Sequence, residues 1–80
     1  MDATQVTEMV RAEFADDEVV VEGAGANYNV TVVSERFAGL RPVARQQAVY
    51  AALNTAIAAG DIHAVNLQTY TPEEWRTAEG

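Results

Sequence analysis

Two stretches of β-strand character on either side of a glycine-rich loop constrain the fold more than any other feature of this chain. The first, Val19-Val20-Val21, is a β-branched run, and the second, Tyr28 to Val33, alternates between two faces. The loop Gly23-Ala24-Gly25-Ala26-Asn27 between them has two glycines and an asparagine, which tolerate the positive φ angles of a tight turn. The pattern predicts an antiparallel hairpin. One face of its second strand comprises Tyr28, Val30 and Val32.

A long alanine-rich segment and a third strand follow the hairpin. The segment predicts a helix from Pro42, which suits a first helical position, to about Ala59, with Gly60 as its cap. Ile62 to Thr69 alternates again and predicts a strand. Because a helix joins the second and third strands, we expect them to be parallel, with a right-handed crossover. The predicted buried stripe of the helix is Val49, Leu53 and Ile57, with Tyr50 beside them.

Amphipathic segments at both ends predict two further helices. Thr4 to Phe14 has apolar residues at helical spacing. Near the other end, Thr71 can cap a helix in which Glu74 completes a capping box and Trp75 pins the helix to the body. The predicted fold class is α/β, of the α+β kind, in the order α-β-β-α-β-α. Its three-stranded mixed sheet carries the helices on one face.

Composition excludes several classes of protein. A chain of 80 residues fits one compact domain. The absence of cysteine excludes disulfides, thiolate nucleophiles and cysteine-rich metal sites built by this chain alone. A net charge of −7 without any lysine disfavours nonspecific binding to nucleic acid or to an anionic membrane. The start, Met1 to Gln5, lacks the basic and apolar regions of a signal peptide, so we expect a cytoplasmic protein.

The sequence contains no recognisable catalytic constellation. Ser34 is the only serine and has no GxSxG around it, and a P-loop would need a lysine. Glu73 and Glu74 are better explained as a capped helix start than as paired catalytic carboxylates. We therefore expect a protein that is not an enzyme.

His63 is the most informative single residue. Since parallel strands start at the same end of a sheet, the start of the third strand should lie beside the hairpin loop, about 4.8 Å from its neighbour. A lone histidine there is either a packing residue or a metal ligand. One imidazole cannot hold a metal by itself, so a partner or a small molecule would have to supply the other ligands.

Three arginines lie near the entry to the long helix. They are Arg36, Arg41 and Arg45, and the last two, four residues apart, are expected to share a helix face. One interpretation is a solvated face balanced by Glu35. The other is a small patch that contacts anions or nucleic acid.

Four segments, in order along the chain, resemble one known family. They are Phe37-x-Gly39, Val43-x-Arg45-Gln46-Gln47-x-Val49-Tyr50, Ile62-His63-Ala64-Val65 and Thr71-Pro72-Glu73-Glu74-Trp75. Together they resemble the BolA family, and the Arg-Gln-Gln-x-Val-Tyr run is most similar to its acid-stress-associated IbaG-like branch. The resemblance spans about Val19 to Trp75. It implies one BolA-like domain over residues 1–80, with a KH-like fold that lacks the GxxG loop.

The resemblance also implies a function. BolA-like proteins are not enzymes, and they pair with monothiol glutaredoxins to share a [2Fe–2S] cluster. The glutaredoxin supplies one cysteine, and bound glutathione supplies another thiolate. His63 occupies the position of the ligand that the BolA-like protein supplies. Because the other ligands come from the partner, no cofactor is expected on the isolated chain. The isolated chain is also expected to be a monomer. Some family members are described as transcriptional regulators that contact DNA, for which Arg36, Arg41 and Arg45 would be the candidate contacts here.

The hairpin loop departs from the family pattern. Family members often supply a second histidine or cysteine from this loop, whereas here Asn27 stands at about that place. A neutral amide is a poor iron ligand beside thiolates. The sequence therefore predicts a more labile or differently ligated shared cluster, or glutaredoxin binding without strong ligation.

Overall fold

The computed structural model describes the backbone of residues 1–79 and the side chains of residues 1–78. The predicted order of elements is confirmed, and a short 3-10 turn at Glu35–Phe37 leads into the long helix. The helices are α1 (Ala3–Arg11), α2 (Pro42–Ala58) and α3 (Pro72–Glu79), and the strands are β1 (Glu18–Ala24), β2 (Asn27–Val33) and β3 (Ala64–Tyr70).

The sheet has the order β1-β2-β3 and is mixed, as predicted. β1 and β2 are antiparallel, with Val21 opposite Val30. β2 and β3 are parallel, with Val30 beside Leu67. The α2 crossover therefore brings the start of β3 to the hairpin end of the sheet.

The core lies between one face of the sheet and the helices α1 and α2. The predicted apolar face of β2 is buried, because its alternate side chains point at the two helices. Phe14 and Phe37 close the core, with ring centroids 5.7 Å apart. Its other buried members include Val6, Val10, Tyr28, Val30, Val32, Val49, Leu53 and Ile62.

Several boundaries or orientations differ from those predicted. The two strands of the hairpin extend into the predicted loop, so only Gly25 and Ala26 lie between them and Asn27 is the first residue of β2. α1 begins after its cap Asp2 and ends at Arg11, and Phe14 reaches the core from the following turn. β3 begins at Ala64 rather than Ile62, because Ile62 turns its side chain into the core before the ladder starts. In α2, Ala56 joins Val49 and Leu53 in the core, while Tyr50 lies one helical step off that stripe and is 36% exposed.

α3 begins at the capping box predicted from the sequence. The Glu74 backbone N–H donates to Thr71 Oγ1 at 3.2 Å, and the Thr71 N–H donates to Glu74 Oε1 at 2.9 Å. Trp75 packs on Tyr70, the last residue of β3, with ring centroids 5.1 Å apart.

Within residues 1–79, no helix combines the length and the apolar character that a membrane span requires.

Candidate functional site

The end of α2 fixes the position of His63. Gly60 has a φ of +81°, and the Asp61 N–H donates to the Ala56 carbonyl at 3.0 Å, which ends the helix with a left-handed cap. Ile62 then anchors the chain in the core. His63 follows as an exposed residue directly before β3, so its imidazole is accessible from solvent.

The hairpin turn lies against the backbone of His63. The Ala26 carbonyl accepts hydrogen bonds from the N–H groups of His63, at 2.8 Å, and Ala64, at 3.1 Å. The Tyr28 hydroxyl lies 2.7 Å from the Gly25 carbonyl oxygen and braces the same turn. The predicted placement of His63 beside this loop is confirmed.

Asn27 lies next to His63 on the neighbouring strand. It is exposed, and it stands in register with Ala64, the residue that follows His63. The donor set at this end of the sheet is therefore one imidazole and one neutral amide. Among the residues whose side chains are described, no three His, Cys, Asp or Glu residues lie close enough to hold a metal.

The three arginines make separate contacts. Arg36 donates from Nη1 to the Glu13 carbonyl at 2.8 Å, and its guanidinium lies 4.4 Å from the centroid of the Phe14 ring. Arg45 donates to the Leu40 carbonyl at 3.0 Å and to Glu74. Arg41 is the N-cap residue of α2 and has an extended backbone, so it lies one position outside the helix that contains Arg45. Two of the three side chains thus hold the fold together.

The ion pair between Arg45 and Glu74 links α2 to α3. The Arg45 Nη1 to Glu74 Oε1 distance is 2.7 Å, and Glu74 takes the balancing role that the sequence assigned to Glu35. The hydrogen bond from Arg45, followed by one from the Thr71 backbone, holds the pKa of Glu74 below its ordinary value of 4.5. Sequence reasoning found the Thr71–Glu74 cap but not this pair, because its two partners lie 29 residues apart.

Glu74→Gln is expected to lower the melting temperature at neutral pH and to have less effect in acid. Because folding lowers the pKa of Glu74, its stabilising effect is present above the unfolded pKa and is lost as pH falls through the folded one. The difference in melting temperature between wild type and Glu74→Gln should therefore be largest near neutral pH and shrink below about pH 4.5. Fluorescence of Trp75, the only tryptophan and a residue of α3, reports the change.

Glu73→Gln is the matched control for this prediction, since it changes a neighbouring exposed carboxylate on the same helix. Because the ion pair with Arg45 involves Glu74, Glu73→Gln removes one carboxylate and leaves that pair intact, and it should lower the melting temperature at pH 7 less than Glu74→Gln does. A Glu74→Gln difference that stays constant from pH 3 to pH 7 would contradict the assignment.

The fold and this site define a class: a small α+β domain that presents one accessible histidine beside a β-hairpin. Residues 4–74 match the family described as "BolA-like protein", and the chain belongs to the BolA family. It is 37% identical over 75 residues to "Acid stress protein IbaG" of Escherichia coli, covering 94% of this chain and 89% of that one. It is 48% identical over 62 residues to "DNA-binding transcriptional regulator BolA" of Vibrio cholerae, covering 78% of this chain and 58% of that one.

Solved structures support the same fold. A BolA protein homologue from Coxiella burnetii superposes with a TM-score of 0.83 at 28% sequence identity. The match covers 95% of this chain and 97% of the homologue.

Proposed function

We propose that this chain is a non-enzymatic partner of a monothiol glutaredoxin and shares or senses a [2Fe–2S] cluster in cytoplasmic iron–sulfur trafficking or stress response. The observation that carries the proposal is the exposed side chain of His63, whose backbone is fixed against Ala26 at the hairpin end of the sheet. Membership of the BolA family and the similarity to a protein named for acid stress support it.

In this proposal, the chain contributes one imidazole nitrogen from His63. The chain has no cysteine, so both thiolates must come from the glutaredoxin and its glutathione. Imidazole is an effective ligand for iron, and histidine replaces cysteine on one iron of Rieske clusters. The short hydrogen bond from the His63 N–H to Ala26 holds the backbone in place, which lowers the entropic cost of presenting the ring to a partner.

A mixing experiment tests the proposal. Wild type and His63→Ala are each combined with a cluster-loaded monothiol glutaredoxin, and visible absorption, circular dichroism and elution from a sizing column are recorded. Wild type should form a complex whose visible spectrum differs from that of the glutaredoxin alone. His63→Ala should lose that difference while remaining folded, because His63 is exposed.

Asn54→Ala, an exposed change on α2, is the control and should behave as wild type. An unchanged spectrum together with no complex would overturn the partnership. A complex with the same altered spectrum for His63→Ala and wild type would overturn the role of His63.

Asn27→His is expected to strengthen ligation. Asn27 lies on the strand beside His63, so the substitution offers a second imidazole where the chain now has a poor amide ligand. The shared cluster should persist longer than with wild type, and its visible circular dichroism should change. Asn29→His, two residues further along β2, is the matched control and should leave both unchanged. If Asn27→His changes neither the lifetime nor the circular dichroism of the cluster, the residue at position 27 does not limit ligation.

A second candidate function is nucleic-acid binding, which is supported by the similarity to the Vibrio cholerae protein named as a DNA-binding transcriptional regulator. Arg36, Arg41 and Arg45 would be the contacts. Three arginines neutralise at most three phosphates, so the slope of log affinity against log salt should be no steeper than about −2.7. The internal contacts of Arg36 and Arg45 leave Arg41 as the least constrained, which favours a shallower slope. Absence of DNA binding at low salt would remove this function for the isolated chain.

A further inference from the structure

The outer edge of β3 carries backbone groups that the sheet does not use. The Ala64 N–H donates toward β2 to the Ala26 carbonyl, and the Tyr70 carbonyl accepts from the Ser34 N–H at 2.9 Å. Because successive residues of a strand direct their backbone groups to opposite sides, the intervening Val65, Leu67 and Thr69 direct theirs away from β2. Within residues 1–79, no strand pairs with this edge.

The last helix leaves this edge uncovered. α3 follows β3 directly, but Trp75 and Arg76 line a depression shared with Glu18 at the start of β1 and Val33 at the end of β2. The side of the helix that carries Trp75 and Arg76 therefore faces the ends of β1 and β2.

The two edges of the sheet differ in their protection. β1 carries Glu18 and Glu22, both exposed, and charges on an edge strand oppose pairing with another chain. β3 has the sequence AVNLQTY, with no charge and no proline. Val65 and Leu67 are only partly buried at the margin of the core. Of the features that commonly blunt an edge strand, charge and proline are both missing from β3.

We infer that the outer edge of β3 pairs antiparallel with β3 of a second copy of this chain, joining two sheets into one of six strands. The strand is self-complementary about Leu67, the middle of its seven residues. With the two-fold axis there, Leu67 pairs with the partner's Leu67, and Val65 pairs with the partner's Thr69. These pairs use all three outward N–H groups and all three outward carbonyls of each copy.

The side chains of β3 suit the same register. Leu67 stands beside the buried Val30, so its contact with the partner's Leu67 extends the two cores. On the opposite face of the sheet, Asn66 lies across from the partner's Gln68, and two amides can hydrogen-bond. No like charges oppose one another along the strand, whereas the same arrangement of β1 would bring its two carboxylates into the interface.

This surface is separate from the site proposed above. His63 lies four residues from Leu67, so antiparallel pairing places the two histidines roughly 26 Å apart along the strand direction. The interface follows one strand and is small, so the dimer should be weak and should dissociate on dilution. The monomer expected from the sequence then describes dilute solution only.

Amide hydrogen exchange, followed by NMR between about 10 µM and about 1 mM, tests the pairing without any substitution. The amides of Val65, Leu67 and Thr69 should exchange severalfold more slowly at the higher concentration, because the fraction of free monomer falls as the dimer forms. The amides of Asn66 and Gln68 face β2 and should exchange at the same slow rate at both protein concentrations. Sedimentation over the same range should show a shift from monomer to dimer. Outward amides that exchange equally fast at both concentrations would overturn the proposal, as would a dimer that leaves them unprotected.

A pair of matched variants provides a second test. Leu67→Lys places two ammonium groups opposite one another on the two-fold axis and should weaken the dimer roughly tenfold or more. Val43→Lys makes the same change of charge on α2, where Val43 is 65% exposed, and should leave the dimer intact. Slow exchange at Asn66 and Gln68 shows that each variant is folded. Equal dimerisation by the two folded variants would contradict the β3 interface.

Discussion

Replacing Phe37 by alanine is expected to lower the free energy of unfolding by about 3–5 kcal/mol. The Phe37 side chain is fully buried, at 0% exposure. It packs on Phe14 with centroids 5.7 Å apart, and the Arg45 guanidinium lies 5.9 Å from its ring centroid. Small domains of this length have roughly 4–12 kcal/mol of stability in total. The loss is therefore a substantial part of the total stability.

Urea unfolding, followed by far-UV circular dichroism, measures the effect of Phe37→Ala. Val43→Ala is the control, because Val43 is an exposed apolar residue, and its cost should stay within about 0.5 kcal/mol. A cost below about 1 kcal/mol for Phe37→Ala would show that the core tolerates the cavity and that the 3-10 turn is not a principal anchor.

Gly23→Ala is expected to distort the hairpin and to cost more than the ~1–3 kcal/mol of a strained φ alone, because a steric overlap adds to that strain. Gly23 has a φ of +130°, and an added Cβ would lie 2.3 Å from the Asn27 carbonyl oxygen and 2.9 Å from Tyr28 Cα. Both are backbone atoms of the facing strand, so no flexible side chain can move aside. The backbone of Asn27, beside His63, would therefore have to shift.

Gly25→Ala is the matched control in the same hairpin. Gly25 also has a positive φ, +65°, but its Cβ would meet no atom within 4 Å. Its cost is limited to the left-handed conformation, about 1–2 kcal/mol. Chemical unfolding of the two variants compares the costs, and amide chemical shifts of residues 27 and 28 report the distortion. Equal costs would contradict the close approach of the two strands at Gly23.

The parts of the fold that depend on local chemistry could be predicted from the sequence. The hairpin follows from its glycine-rich loop and alternating strands, and the start of α3 follows from Thr71 and Glu74. The predicted start of β3, Ile62, is two residues too early. The alternating pattern of the sequence continues through Ile62, and only the tertiary structure shows that its side chain packs in the core before the strand begins. The exposure of Tyr50 depends on the rotation of α2 over the sheet, which periodicity alone does not fix.

The position of the candidate site could be predicted because it depends on the topology of the sheet. The parallel crossover rule places His63 beside the hairpin, and the structure confirms that placement. The contacts of the arginines were not predictable, because Arg36 and Arg45 bind groups brought close only by the tertiary fold. The ligand role of His63 stays a prediction, since the other ligands would belong to a different molecule.

Pulsed EPR of the reduced complex tests the ligand role most directly. The chain contains one histidine, so labelling its imidazole nitrogens with ¹⁵N marks His63 alone. The labelled chain is mixed with an unlabelled, cluster-loaded glutaredoxin, and the cluster is then reduced by one electron. If His63 ligates the cluster, the spectrum should show a ¹⁵N hyperfine coupling of the size typical of a directly coordinated imidazole. A complex that forms but shows no ¹⁵N coupling would contradict this ligand role.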